Sequence, residues 1–332
     1  MIIGMSNITN LADSPQYQKE TLKLIEKSFQ YSSPFKFDVD FAPLFNEKNF
    51  KNCHILLEND EVIGHIGCLQ KDIELLSIHK VNMFGGIVVR DEYRGQGKFN
   101  LLFSHVLNLY SEACLSFLWS EKLALYERFH FYPCVNLIHY LKSEKPLSSN
   151  WTETKLASLT SVDLKQVQEL YGASDEIRIS RSEKDWEQLA LITSARLFIK
   201  KQNDKIENYF FIDKGQDLTE IIHEYGFIND HELSEMINIG NVWTPYISEK
   251  NFSCRELFGS VAKIESANAF KTFLAEFAGA EFISQTDQEI TIKIDDEEFT
   301  LKVKDFLPGL FGPGKFTEFE TPDLFISGLD SI

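Results

Sequence analysis

The stretch Gly85-Gly86-Ile87-Val88-Val89-Arg90-Asp91-Glu92-Tyr93-Arg94-Gly95-Gln96-Gly97-Lys98-Phe99-Asn100-Leu101-Leu102 has the residue types and spacing of an anion site. Ile87 to Val89 read as the end of a buried strand and Arg94 to Gly97 as a tight glycine loop. Phe99, Leu102, Phe103, Val106 and Tyr110 form the apolar stripe of a following helix. A strand feeding a glycine loop at a helix N-terminus offers free backbone N–H groups and the positive end of the helix dipole, which suit a diphosphate. Two common nucleotide motifs are incomplete here. A P-loop needs Ser or Thr after its Lys, and Lys98 is followed by Phe99; a dinucleotide fingerprint needs a third glycine, and Gly97 is followed by Lys98-Phe99-Asn100. On the loop alone, a strand–turn–helix without a ligand stays open.

A second candidate is a phenol. Cys114-Leu115-Ser116-Phe117-Leu118-Trp119 is a short buried-strand pattern, and Ser120-Glu121-Lys122-Leu123-Ala124-Leu125-Tyr126-Glu127-Arg128-Phe129-His130-Phe131 follows it. Tyr126 reads either as a core aromatic packed with Leu123 and Phe129 at helical spacing or as a proton donor. The Arg-x-x-Gly arrangement of Arg94 to Gly97 after a Val-rich strand, with this second segment behind it, resembles the acetyl-coenzyme A site of the GNAT acyltransferase superfamily. Phe99 stands where most of these loops close with Gly or Ala; the branch of the enhanced intracellular survival protein carries a bulky apolar residue there. The resemblance implies acetyl-CoA as cosubstrate and no metal. It places Val88, Val89, Arg94, Gly95, Gln96, Gly97, Lys98, Phe99 and Ser120 beside the cofactor and makes Tyr126 the general acid. A phenol with a pKa near ~10 can protonate a departing thiolate and stay protonated at neutral pH.

The elements that must position these groups are legible upstream. Gln18 to Tyr31 has helical apolar spacing, Cys53 to Leu57 runs into an Asn59-Asp60 hairpin turn, and Glu61 to Leu69 continues as a strand. Helix, hairpin, strand, loop, helix, strand is the order of a GNAT domain, here over residues 1–142. By that resemblance the strand before the loop splays from its neighbour, and main-chain groups of Val88 and Val89 bind the pantetheine arm as an added strand would.

Composition bounds the rest. A chain of 332 residues, 43% hydrophobic and 25% charged, is an ordinary globular balance with room for two or three cores. The longest apolar runs, Val81–Val89 and Cys114–Trp119, fall short of the ~18 residues that span a bilayer, and Met1-Ile2-Ile3-Gly4 has no signal-peptide character. A cytoplasmic location without membrane partners is expected. Cys53, Cys68, Cys114, Cys134 and Cys254 are odd in number, widely spaced and in apolar surroundings, as free buried thiols are. The eight histidines show no metal-ligand spacing, and His223-Glu224 lacks a zincin's second His. A net charge of −17 disfavours nucleic acid and is consistent either with a cationic acceptor or simply with solubility.

Beyond Leu141, Lys142 to Asn150 is a polar, turn-rich linker. Helices over Ser161–Tyr171, Glu183–Thr193 and His231–Ile237, with strands at Leu197–Lys201, Asn208–Ile212 and Leu218–Tyr225, echo the first unit weakly and lack its loop. Residues 143–240 therefore read as a degenerate, cofactor-free GNAT-like unit. Residues 241–332 give a strand (Val261–Glu265), a helix (Asn268–Phe277), the hairpin Glu289–Ile294 with Glu298–Val303, and a helical turn at Asp305–Gly314 broken by Pro308 and Gly309. The expected fold class is α/β (α+β): a GNAT-type mixed sheet flanked by helices, the degenerate second unit, and a small α+β C-terminal domain. That layout resembles the enhanced intracellular survival family, whose last part is like a sterol carrier protein. In that family the terminal carboxylate takes the proton from the attacking amine, which makes Ile332 the candidate base. Glu121 is a second candidate, with an N-cap or surface role as its alternative. The implied activity is acetylation of a primary amine, on a cationic small molecule or a lysine side chain, by direct attack on the thioester. The rival is a non-catalytic sensor of acyl-CoA or lipid on the same scaffold. Homo-oligomerisation is left open.

Overall fold

The computed structural model describes residues 7–143, 150–311 and 321–332. The first stretch runs β1 (Asn7–Asn10), α1 (Gln18–Ser28), α2 (Phe37–Asp40), β2 (Cys53–Glu58), β3 (Glu61–Glu74), β4 (Ile78–Val89), α3 (Lys98–Leu109), β5 (Leu115–Leu118), α4 (Leu123–Glu127) and β6 (Tyr132–Tyr140). The middle stretch gives β7 (Trp151–Thr154), α5 (Ser161–Gly172), β8 (Ile179–Ser180), α6 (Glu183–Leu189), β9 (Arg196–Gln202), β10 (Lys205–Ile212), β11 (Ile221–Tyr225) and α7 (Asp230–Met236). The last gives β12 (Asn241–Thr244), β13 (Cys254–Ile264), α8 (Ala267–Ala278), β14 (Glu281–Gln285), β15 (Glu289–Ile294), β16 (Glu297–Lys302) and α9 (Val303–Phe311).

The result is the expected mixed α/β fold, organised by one large sheet. Among the described residues its order is β1-β2-β3-β4-β5-β13-β6-β12-β11-β10-β9-β7, with β8 paired to β3. The ladder crosses both expected boundaries: β12 and β13 lie beyond residue 240 yet flank β6 in the large sheet. Only β14-β15-β16 make a separate sheet, and the phenylalanines of α8 and α9, Phe270, Phe273, Phe277, Phe306 and Phe311, bury its apolar face.

Turn chemistry sets the hairpins. Asn59-Asp60, Asn203-Asp204 and Asp295-Asp296 all take positive φ, the left-handed geometry that matches strand twist and that Asn and Asp tolerate. The helix at α9 corrects one expectation. It runs through Pro308, because burying Phe306, Leu307, Leu310 and Phe311 outweighs the ~3 kcal/mol that an interior proline costs. Cys254 corrects another: it is exposed at the start of β13, whereas the other four thiols are free and buried. Most of the expected linker, residues 144–149, lies outside the described residues. Among the described residues no helix is long and apolar enough to cross a membrane.

Candidate active site

β4 changes character at its C-terminal end. Its parallel pairing with β5 covers Val81 to Phe84 and stops at Leu118, while β3 continues to pair with it as far as Val89. Among the described residues, the edge of Gly85 to Val89 that would face β5 therefore has no strand partner. The register with β3 also shifts between His65 and Gly67, and Gly86 takes φ +58° at that bulge. His65 fixes the bulge. Burial lowers its pKa to about 4, so it is neutral at pH 7, and its Nδ1–H donates to the Gly86 carbonyl at 2.7 Å.

The glycine loop follows. Gly95 and Gly97 take φ +73° and +76°, and a β-carbon on either would meet nothing within 4 Å. The space around the loop is open, and α3 starts from Gly97 without a side-chain cap. Its first N–H groups have no intrahelical acceptor and lie at the positive end of the dipole. Arg94 braces the loop, its Nε donating to the Val89 carbonyl at 3.2 Å and its guanidinium pairing with Asp91 at 2.8 Å. Gln96 donates to the Glu92 carbonyl at 2.7 Å, and Lys98 pairs with Glu58. These side chains shape the loop from its sides.

Tyr126 is distant in sequence and close in space. α4 packs it against Phe99 and Phe103 of α3, with ring centroids 5.9 and 5.7 Å away, so loop, helix and phenol share one aromatic cluster. Burial pushes its pKa up to about 12, against a hydrogen bond with Ser120 that favours the charged form. The Ser120 hydroxyl also accepts from the Lys122 amide at 3.0 Å. Glu121 is exposed and caps nothing; α4 begins without a side-chain cap.

Ile332 returns to β4 from the far end of the chain. A β-carbon on Gly85 would lie 2.6 Å from the carboxyl carbon of Ile332 and 3.0 Å from a carboxyl oxygen, so only glycine leaves room. The adjacent Phe37 ring lies 3.2 Å from where Gly86 would carry a β-carbon and packs 6.0 Å from the ring of Tyr31. Tyr31 lines a cleft of about 420 Å³ with Glu26, Ser32, Lys36 and Asp38. Burial, followed by the charges of Asp217 and Asp40, drives its phenol well above the ordinary value.

Asp40 is buried, and its pKa is raised by that burial against the opposing influence of Ser194 and Lys214. None of Tyr31, Asp40, Lys214 or Asp217 was singled out by sequence reasoning. A carboxylate inside the apolar run Phe37-Asp38-Val39-Asp40-Phe41 was the one available signal. The fold also gathers His231, Glu232 and Glu235, with donor atoms within 4.8 Å of one another, a group the histidine spacing had not revealed. Lys200 already pairs with both of its carboxylates, at 3.1 and 3.0 Å.

Residues 14–134 match the sequence model of the acetyltransferase (GNAT) domain. The match covers little more than a third of the chain. It spans the loop and Tyr126, and it supports acetyl transfer as the chemistry of this stretch. Three solved structures share the fold over most of their length. A conserved Enterococcus faecalis protein of unknown function, a probable N-acyltransferase, is 12% identical with TM-score 0.62, covering 94% of this chain and 91% of its own. A GCN5-related N-acetyltransferase from Anabaena variabilis is 13% identical with TM-score 0.63, covering 91% and 89%. Eis1 from Mycobacterium abscessus is 9% identical with TM-score 0.56, covering 92% and 90%. No curated protein matches the sequence.

Proposed function

We propose that the protein is an acetyl-CoA-dependent N-acetyltransferase that acetylates a primary amine on a cationic small molecule or a lysine side chain by direct attack. The observation that carries this reading is the contact between α3 and Tyr126, which unites an open diphosphate site with a buried phenol that keeps its proton at neutral pH. The diphosphate of coenzyme A lies on the N–H groups of the Arg94–Gly97 loop, flanked by Lys98 and Phe99. The pantetheine arm extends along the unpaired edge of Val88 and Val89, as an added strand does.

The amine nitrogen then bonds to the thioester carbonyl carbon, and a backbone N–H near Val88 stabilises the oxyanion. Collapse breaks the C–S bond, the leaving thiolate takes the Tyr126 proton, and the amine proton passes to a base. The carboxylate of Ile332, against Gly85, is that base; Glu121, exposed beyond Ser120, is the alternate. The acidic groups around Tyr31 and the net charge of −17 favour a cationic acceptor. Four buried free thiols fit a cytoplasmic setting.

An acceptor screen with thiol-release detection tests the reading. Release that depends on both acetyl-CoA and a cationic amine is expected. Tight acyl-CoA or lipid binding with no turnover on any amine would instead make the protein a sensor.

A further inference from the structure

The middle stretch lacks a glycine loop of its own, yet it buries a cluster of charge. Arg181, just after β8, has a side chain with 0% exposure and is stacked 4.0 Å from the Tyr171 ring centroid and 4.7 Å from that of Trp186. Its guanidinium reaches two carboxylates. Nη1 donates to Glu224 at 2.9 Å, Nη2 to Asp330 at 2.7 Å and to the Ser327 hydroxyl at 3.0 Å, and Nε to Asp330 at 3.2 Å. Ser327 donates in turn to Glu224 at 2.6 Å. Lys214, also buried, donates to the carbonyls of Gly328, at 2.7 Å, and Ser331. Arg181 thus faces both Glu224 and Asp330, while Lys214, whose pKa burial lowers to about 7, holds the backbone of the same segment near Asp330.

All of these bonds to residues outside the middle stretch end on one segment. Residues 323–332 form one isolated bridge, Ile177 with Leu324, outside the named strands, the Gly328 amide donates to the His223 carbonyl of β11 at 3.2 Å, and the segment is otherwise irregular. Gly328 is pressed so closely on His223 that a β-carbon would lie 2.4 Å from the imidazole. Four residues further on, Ile332 meets Gly85 of β4. Replacing a buried ion cluster with apolar side chains of equal volume is often neutral or stabilising, so the cluster's distinctive effect is on placement.

We propose that Arg181 and Lys214 are positioning residues: the middle unit serves as an anchor that holds residues 323–332 in one register and so sets Ile332 against the β4 bulge. The inference rests on the reading of that bulge as the acyl-transfer site. It gives the unit without a cofactor loop a part in the reaction of the unit that has one.

The test combines hydrogen–deuterium exchange, coenzyme A calorimetry and steady-state kinetics on the full chain. In Arg181→Met, residues 323–332 are expected to exchange at least ~10-fold faster while coenzyme A affinity stays within about twofold, and kcat falls at least ~10-fold. Lys214→Met should behave alike and serves if Arg181→Met does not fold. The double variant Arg181→Met with Asp330→Leu, made in a Glu224→Gln background so that no buried carboxylate loses its counter-charge, restores thermal stability but not kcat, which separates placement from bulk stability. Unchanged exchange over 323–332 in both single variants overturns the proposal, as does a double variant with full kcat. A wild-type protein that neither binds coenzyme A nor turns over sinks the acyl-transfer reading on its own, and the exchange data still decide whether the anchor exists.

Discussion

Two strand–helix–strand crossovers of this molecule share a topology and differ at one helix end. β4 and β5 are parallel and joined through α3, as β11 and β12 are through α7. At the first, Gly97 gives α3 an uncapped N-terminus in open space. At the second, the Asn229 side chain accepts from the amides of His231 and Glu232 at 2.8 and 3.0 Å. Gly226, which opens that loop, is also hemmed in, since a β-carbon there would lie 2.7 Å from the Asn208 amide oxygen. The same crossover can leave its helix N-terminus open or satisfy it internally, depending on a few loop residues.

Acid stress should strike both regions, with the largest effect of all. His65 in the first and His223 in the second are buried, and burial lowers each pKa to about 4. An unfolded histidine titrates near ~6.5, so between these values the unfolded chain binds more protons than the native one. Stability from these two residues is complete above about pH 6.5 and is lost as pH falls towards 4, by at most on the order of 3 kcal/mol each. Melting midpoints recorded from pH 7 to 4 check this, and a flat profile contradicts it.

Next in size, Tyr126→Phe should leave coenzyme A affinity intact and slow turnover by roughly 10²-fold. Unchanged turnover would return Tyr126 to a packing role. A chain extended by a few glycines after Ser331-Ile332 moves the carboxylate away from Gly85; kcat should fall by about tenfold, with binding preserved. Full activity in that variant shifts the base to Glu121. The smallest effect belongs to the second crossover: Asn229→Ala uncovers two amides at a cost of about 1 kcal/mol in chemical denaturation. It should create no coenzyme A site there, because the crowded Gly226 turn persists. New binding would show that the cap alone separates the two crossovers.

The first region was largely legible in the sequence because its signals are local. Gly95, Gly97 and the stripe from Phe99 to Tyr110 lie on contiguous chain, and the Asn59-Asp60 turn announces its own hairpin. The second region was not, because its determinants are partners far apart. Arg181 looks like any surface arginine until Asp330, 149 residues away, is folded onto it. β1, β7, β12 and β14 are four or five residues long and are defined by the neighbours they pair with. The helix through Pro308 likewise reflects burial that local propensity cannot report.

On the proposed function, the loop from Arg94 to Gly97 holds the diphosphate of coenzyme A. Gly97 takes φ +76° and faces open space, so Gly97→Val puts a branched side chain where the phosphates would lie and strains the turn that aims the amides. Titration calorimetry of coenzyme A against the wild-type protein and a folded Gly97→Val variant is the most direct measurement. The wild type should bind, and the variant should bind at least ~100-fold more weakly. Equal affinity for the two, or no binding by the wild type, would contradict that reading.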